Sequence, residues 1–101
     1  KDFDLFYDQF WTIKGVVLGG QMTTMGIDEN TKEKMFSLNL KDHTGNLTIT
    51  AFDGNAEVLS GLAVGGMEYY ISNTNDENDM TASINNNAYK IHFEIVTTLI
   101  N

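Results

Sequence analysis

Two histidines and one run of carboxylates are the side chains with which this chain can do acid–base or metal chemistry, and their spacing argues against both. His43 falls in the turn-like segment Asp42-His43-Thr44-Gly45-Asn46, and His92 stands far along the chain among alternating apolar residues, so nothing local joins them. Asp76, Glu77 and Asp79 are close neighbours, but they lack the glycine and terminal glutamate of a calcium loop and read as a solvated acidic segment. There is no cysteine, which removes disulfides and thiolate metal ligands. No nucleophile–base pair, phosphate-cradling glycine loop or metal-ligand spacing is present. The expectation is a protein that binds rather than catalyses, with no cofactor and no metal.

A chain of 101 residues makes one domain with one modest core, expected to span residues 1–101. Six lysines and no arginine face fourteen acids, for a net charge of −8. Nucleic-acid binders ordinarily carry excess positive charge, so the average composition argues against that partner, although a local face can differ from the average. No stretch approaches the roughly eighteen consecutive apolar residues of a transmembrane helix, and no membrane partner is expected. Asp2, Asp4 and Asp8 interrupt the apolar residues at the start of the chain, unlike a secretory signal. With Lys1 in first place rather than methionine, the sequence is expected to be a fragment of a larger protein.

The elements that must position any binding residue are short alternating runs. Trp11 to Leu18 predicts a first strand, with Gly15 marking a bulge or sharp bend. Gly19 to Lys34 is polar and glycine-containing and predicts a long loop. Met35 to Lys41 predicts a second strand with Phe36, Leu38 and Leu40 inward and Ser37, Asn39 and Lys41 outward. Leu47 to Phe52 predicts a third, with Leu47, Ile49 and Ala51 inward and Thr48, Thr50 and Phe52 outward. Asp53 is placed as a helix N-cap, and Ala56, Leu59 and Leu62 form a helical stripe that stops before Gly65-Gly66. Met67 to Ser72 predicts a fourth strand, Asn73 to Asn87 a second long loop, and Tyr89 to Glu94 a fifth strand followed by an apolar tail, Ile95 to Ile100. This order predicts an all-β fold: a five-stranded OB-fold (oligonucleotide/oligosaccharide-binding) Greek-key barrel with a short helix between strands three and four. In that fold ligands lie across strands two and three, between the two long loops.

Three segments carry a resemblance: Trp11-Thr12-Ile13-Lys14-Gly15-Val16-Val17, Met35-Phe36-Ser37-Leu38-Asn39-Leu40-Lys41-Asp42 and Thr48-Ile49-Thr50-Ala51-Phe52. In order and spacing they resemble the first high-affinity DNA-binding OB domain of the replication protein A large subunit, a pattern its telomerase-associated paralogues share. Tyr69-Tyr70-Ile71-Ser72 and Tyr89 fall where that family places its fourth and fifth strands, so the likeness runs from Tyr7 to Phe93. The resemblance implies one single-stranded-DNA-binding module of a nuclear protein of DNA replication, repair or telomere maintenance. It also implies work in tandem with neighbouring OB domains of the same chain and with protein subunits of a larger complex.

That family stacks bases on aromatic side chains while basic residues follow the phosphates. Phe52 matches the stacking position at the end of strand three, and strand alternation independently turns it outward beside Thr48 and Thr50. Lys34 matches a basic residue entering strand two. Thr48 stands where arginine is usual, so it can donate a hydrogen bond but brings no charge. Thr50, the outward Ser37 and Asn39, and Lys14 on the first strand complete the expected nucleic-acid-binding set. The chain departs from the pattern in both loops: Thr24 and Gly26 replace an arginine and an aromatic, and the usually basic second loop reads Asn75-Asp76-Glu77-Asn78-Asp79-Met80. The acidity supports a rival expectation, a protein-interaction OB domain that kept the barrel and lost DNA binding. A neutral or positive groove with Phe52 exposed favours DNA; a uniformly acidic one favours a protein partner.

Overall fold

The computed structural model describes residues 10–26 and 32–96. They form β1 (Thr12–Gly26), β2 (Lys32–Asp42), β3 (Gly45–Phe52), α1 (Asp53–Gly61), β4 (Glu68–Asn73), β5 (Met80–Ile84) and β6 (Asn87–Ile95). The sheet is a closed antiparallel barrel in the order β1-β2-β3-β5-β6-β4, with β4 returning to pair with β1. The all-β barrel with one helix between the third and fourth strands is therefore observed, compatible with an OB-fold. None of the described helices is long and apolar enough to cross a membrane.

Period-two alternation builds the interior. Leu38, Leu40, Ile49, Ile71, Ile84 and Ile91 are buried from five strands, and Ala56 and Leu59 come up from α1 to meet them. Side chains two apart in a strand share a face, so one register places each whole set inside. Tyr69 is buried with them, and its hydroxyl donates to the Leu62 carbonyl at 2.9 Å. That satisfies one of the acceptors left open at the C-terminal end of α1. Trp11 meets Tyr89 edge-on, with centroids 5.3 Å apart, and Tyr69 meets Phe93 likewise at 5.5 Å.

Several expectations are corrected. The described residues form six strands, not five, because the second polar loop contains β5 and a tight β5–β6 hairpin. Asn85 and Asn86 form its turn with φ of 52° and 68°, the left-handed pair that a two-residue hairpin requires and that asparagine tolerates better than most residues. Much of the first expected loop is strand as well, since β1 runs on to Gly26 and pairs with β2 down to Gly26↔Lys32. The irregularity falls at Leu18, between Val17 and Gly19, where the β1–β2 register shifts; Gly15 keeps regular pairing with Tyr69. Asp53 is not the N-cap. Phe52 holds that place with no side-chain capping bond, while Asp53 turns the chain at φ 53° and its carboxylate accepts the Lys34 backbone N–H at 3.4 Å. The tail beyond Val96 lies outside the described residues.

Gly20 is needed by its neighbour. A Cβ there would fall 2.3 Å from Cζ of the Phe36 ring, which lies over it from the adjacent strand. The β2–β3 turn depends on Asp42, whose carboxylate accepts the Thr44 hydroxyl at 2.7 Å and the backbone N–H groups of Thr44 and Gly45 at 2.8 and 3.0 Å.

Leu38→Ala is expected to lower unfolding stability by about 2–5 kcal/mol, and Gly20→Ala by about 1–3 kcal/mol through overpacking against Phe36. Denaturant unfolding checks both, and a Leu38→Ala change within error would contradict the register. The Thr44 hydroxyl above all, then the two backbone N–H groups, holds the Asp42 carboxyl below the ordinary aspartate value. Its contribution is therefore complete above that ordinary value and is lost as pH falls through the depressed one. Melting curves through the acid range should show wild type losing more stability than Asp42→Asn.

Candidate functional site

Register carries the outward residues of four strands onto one surface. Asn39 faces Thr48 and Ser37 faces Thr50 across β2–β3, Thr50 faces Ser83 across β3–β5, and Gln21 faces Ser37 across β1–β2. Directly opposed residues share a face, so these side chains line a continuous strip on the outside of the barrel. Phe52 ends the strip on β3, opposite Met35, and the residue is 41% exposed.

Two adjoining depressions make the strip a groove. One, of about 400 Å3, is bounded by Thr48, Thr50, Phe52, Ser83, Asn85 and Asn86. The other, of about 370 Å3, is bounded by Leu18, Gly19, Gly20, Asn39, Asn46 and Thr48. Thr48 belongs to both, so the groove follows β3 from Phe52 to Asn46, roughly 20 Å at the rise of an extended strand. No side chain bounding either depression is ionisable. In a chain of net charge −8, the groove is lined by amides, hydroxyls, glycine, one leucine and one aromatic ring.

Hydrogen bonds within the groove settle some orientations. The Thr48 hydroxyl donates to Asn39 Oδ1 at 3.1 Å, which leaves the Asn39 amide nitrogen to present its hydrogens elsewhere. Asn85 and Asn86 are held by their turn rather than carried on a loop.

Five of the seven residues expected from sequence are brought together here: Phe52, Thr48, Thr50, Ser37 and Asn39. Two are not. Lys34 shares the face of β2 that carries Phe36 and Leu38 inward. Its ammonium is paired with Glu57 of α1 at 2.6 Å. The bond to Glu57 raises the Lys34 pKa above the ordinary lysine value and lowers that of Glu57. Lys14 stands opposite Tyr70 on the part of β1 that pairs with β4, and it borders a third depression with Val16, Lys41 and Glu68 that meets the groove only at Leu18. Lys41 faces Asn46 at the far end of the groove. Lys90, opposite Thr81 on the same outer face of β5–β6, borders neither depression, and its ammonium donates to the Glu77 and Asp79 carbonyls at 3.3 and 3.4 Å.

The acidic segment closes on itself. Asp79 accepts the Thr74 hydroxyl at 2.6 Å and Asp76 accepts the Asn78 N–H at 2.9 Å. Sequence reasoning missed Asn46, Ser83, Asn85 and Asn86. The first was assigned to a turn, and the others to a loop. Consecutive asparagines between Ile84 and Asn87 were the available signal, because that pair suits a left-handed two-residue turn.

No family model, no curated protein and no solved structure matches this chain.

Because the Phe52 ring is half in solvent, Phe52→Ala is expected to change stability by less than about 1 kcal/mol. A core phenylalanine would cost about 3–5 kcal/mol, and a melting curve of the variant separates the two.

Proposed function

We propose that the groove binds single-stranded DNA, as one OB module of a replication protein A-like large subunit acting in the nucleus in replication, repair or telomere maintenance. The observation that carries the reading is an exposed aromatic, Phe52, at one end of an uncharged polar groove on the outside of β3. A base laid on an aromatic face gains about 1–3 kcal/mol without needing positive charge, so an acidic protein can use it. Thr48, Thr50, Ser83 and the asparagines offer neutral donors and acceptors to the rest of the strand. The segment resemblance described above points to the same face independently. Neighbouring OB domains would add affinity by raising effective concentration. A protein-interaction role is the second reading. It rests on the net charge of −8 and on Leu18, exposed at the β1 bulge beside Val16, Lys14 and Lys41.

Titration of the chain with single-stranded oligonucleotides tests the proposal. Phe52→Ala is expected to weaken binding by about 1–3 kcal/mol while the protein stays folded; unchanged affinity in the folded variant overturns the assignment. With Lys34 paired to Glu57, and Lys14 and Lys41 together in the depression that meets the groove at Leu18, about one or two phosphates are neutralised. The slope of log affinity against log salt is then roughly −0.7 to −1.4. A slope near about −5 would require a basic surface elsewhere. Absence of binding to any strand would leave the protein-interaction reading.

A further inference from the structure

We infer that the groove, on the strand-binding reading above, selects its strand by base identity: base edges turn in toward fixed amides and hydroxyls while the phosphates face solvent. Sequence-tolerant binding of single strands combines ring faces, which accept every base, with cations that track the backbone. Here one ring stands at one end of the groove and no cation borders its two depressions. A chain of net charge −8 repels phosphates brought close to its surface, so the charged edge of the strand is best placed outward. What remains in contact is the part of a nucleotide that differs from base to base.

The groove is built to tell those differences apart. The Asn39 amide is oriented, because its oxygen receives the Thr48 hydroxyl and its nitrogen is left as a donor. Asn85 and Asn86 sit on a two-residue turn with both φ values positive, so their backbone is already ordered before a ligand arrives. Donors and acceptors that a bound strand covers penalise a base that leaves them unpaired. Asn39 lies beside Thr48 on the β2 side of β3, and Asn85 and Asn86 follow the Ile49–Ile84 pair on its β5 side, so a bound strand meets amides from both flanks of β3.

The test uses the whole chain and short single strands, each of one base, with inosine in place of guanine to prevent self-association. The expected result is an affinity spread of about tenfold or more between best and worst strand, the scale of one well-made base contact. Asn39→Ala should narrow the spread. So should Asn85→Gly combined with Asn86→Gly, a change that keeps the positive φ values the turn needs. Phe52→Ala should lower all affinities by a similar factor and leave the spread in place, since every base has a stacking face. Melting curves confirm that each variant is folded. Equal affinity for all strands within about twofold overturns the selectivity and leaves the strand-binding reading standing, as does a spread that the folded asparagine variants do not alter. No binding to any strand overturns both.

Discussion

Strand β1 pairs with β4 over Thr12–Val16 and with β2 from Val16 onward, and Val16 belongs to both ladders. The barrel closes at that handover. Val17 N–H donates to the Met67 carbonyl at 2.8 Å and the Val17 carbonyl accepts from Gly66 at 2.9 Å, so the segment entering β4 is tied to the same residue. One step further the register shifts, leaving Leu18 as the extra residue, and a bulge of this kind bends and twists its strand. Gly19 and Gly20 follow on the rim of the groove, and Phe36 covers Gly20. The bend of the grooved face and the closure of the core thus meet at one place in β1.

Within this frame, charge stands at the ends and flank of the grooved face and not along its floor: Lys41 lies opposite Asn46, Glu33 two residues before Met35 and Lys90 opposite Thr81. The lysines with resolved partners are held by groups outside the groove: Lys34 by Glu57 and Lys90 by two carbonyls. Acids sit on the helix and on the segment between β4 and β5, where Thr74 and the local backbone answer them. The result is an acidic molecule with a neutral groove. Amides and hydroxyls that a ligand covers favour ligands that supply matching hydrogen bonds, and they exert little long-range attraction. Recognition by such a surface depends on contact geometry more than on steering.

Legibility in the sequence followed solvent contrast. Phe36, Leu38 and Leu40 alternate with Ser37, Asn39 and Lys41 because β2 has one dry face and one wet one, and period two marks that difference. The same contrast makes β3, β6 and the Ala56–Leu59 side of α1 readable, and it turns Phe52 outward. Where a strand leaves the barrel the contrast vanishes: Gly19 to Gly26 is polar or glycine at nearly every position, so its pairing with β2 leaves no periodic trace. β5 is five residues long, and the alternation of Met80, Ala82 and Ile84 on its inner face is too short to stand out from the polar segment before it.

Local composition by itself determined the all-β class, the helix after β3, the inward sets of β2 and β3 and the outward Phe52. Each of these depends on residues within a few positions of one another, where sterics and burial act through the chain's own repeat. Tertiary structure alone decided which outward residues share a groove, since Thr50 meets Ser83 only through the β3–β5 register. It also decided that Lys34 spends its charge on Glu57, 23 positions away, and that Lys14 faces a different depression. Those outcomes depend on how strands are ordered around a closed barrel. That order is set by the packing of the whole core, and no single stretch of sequence encodes it.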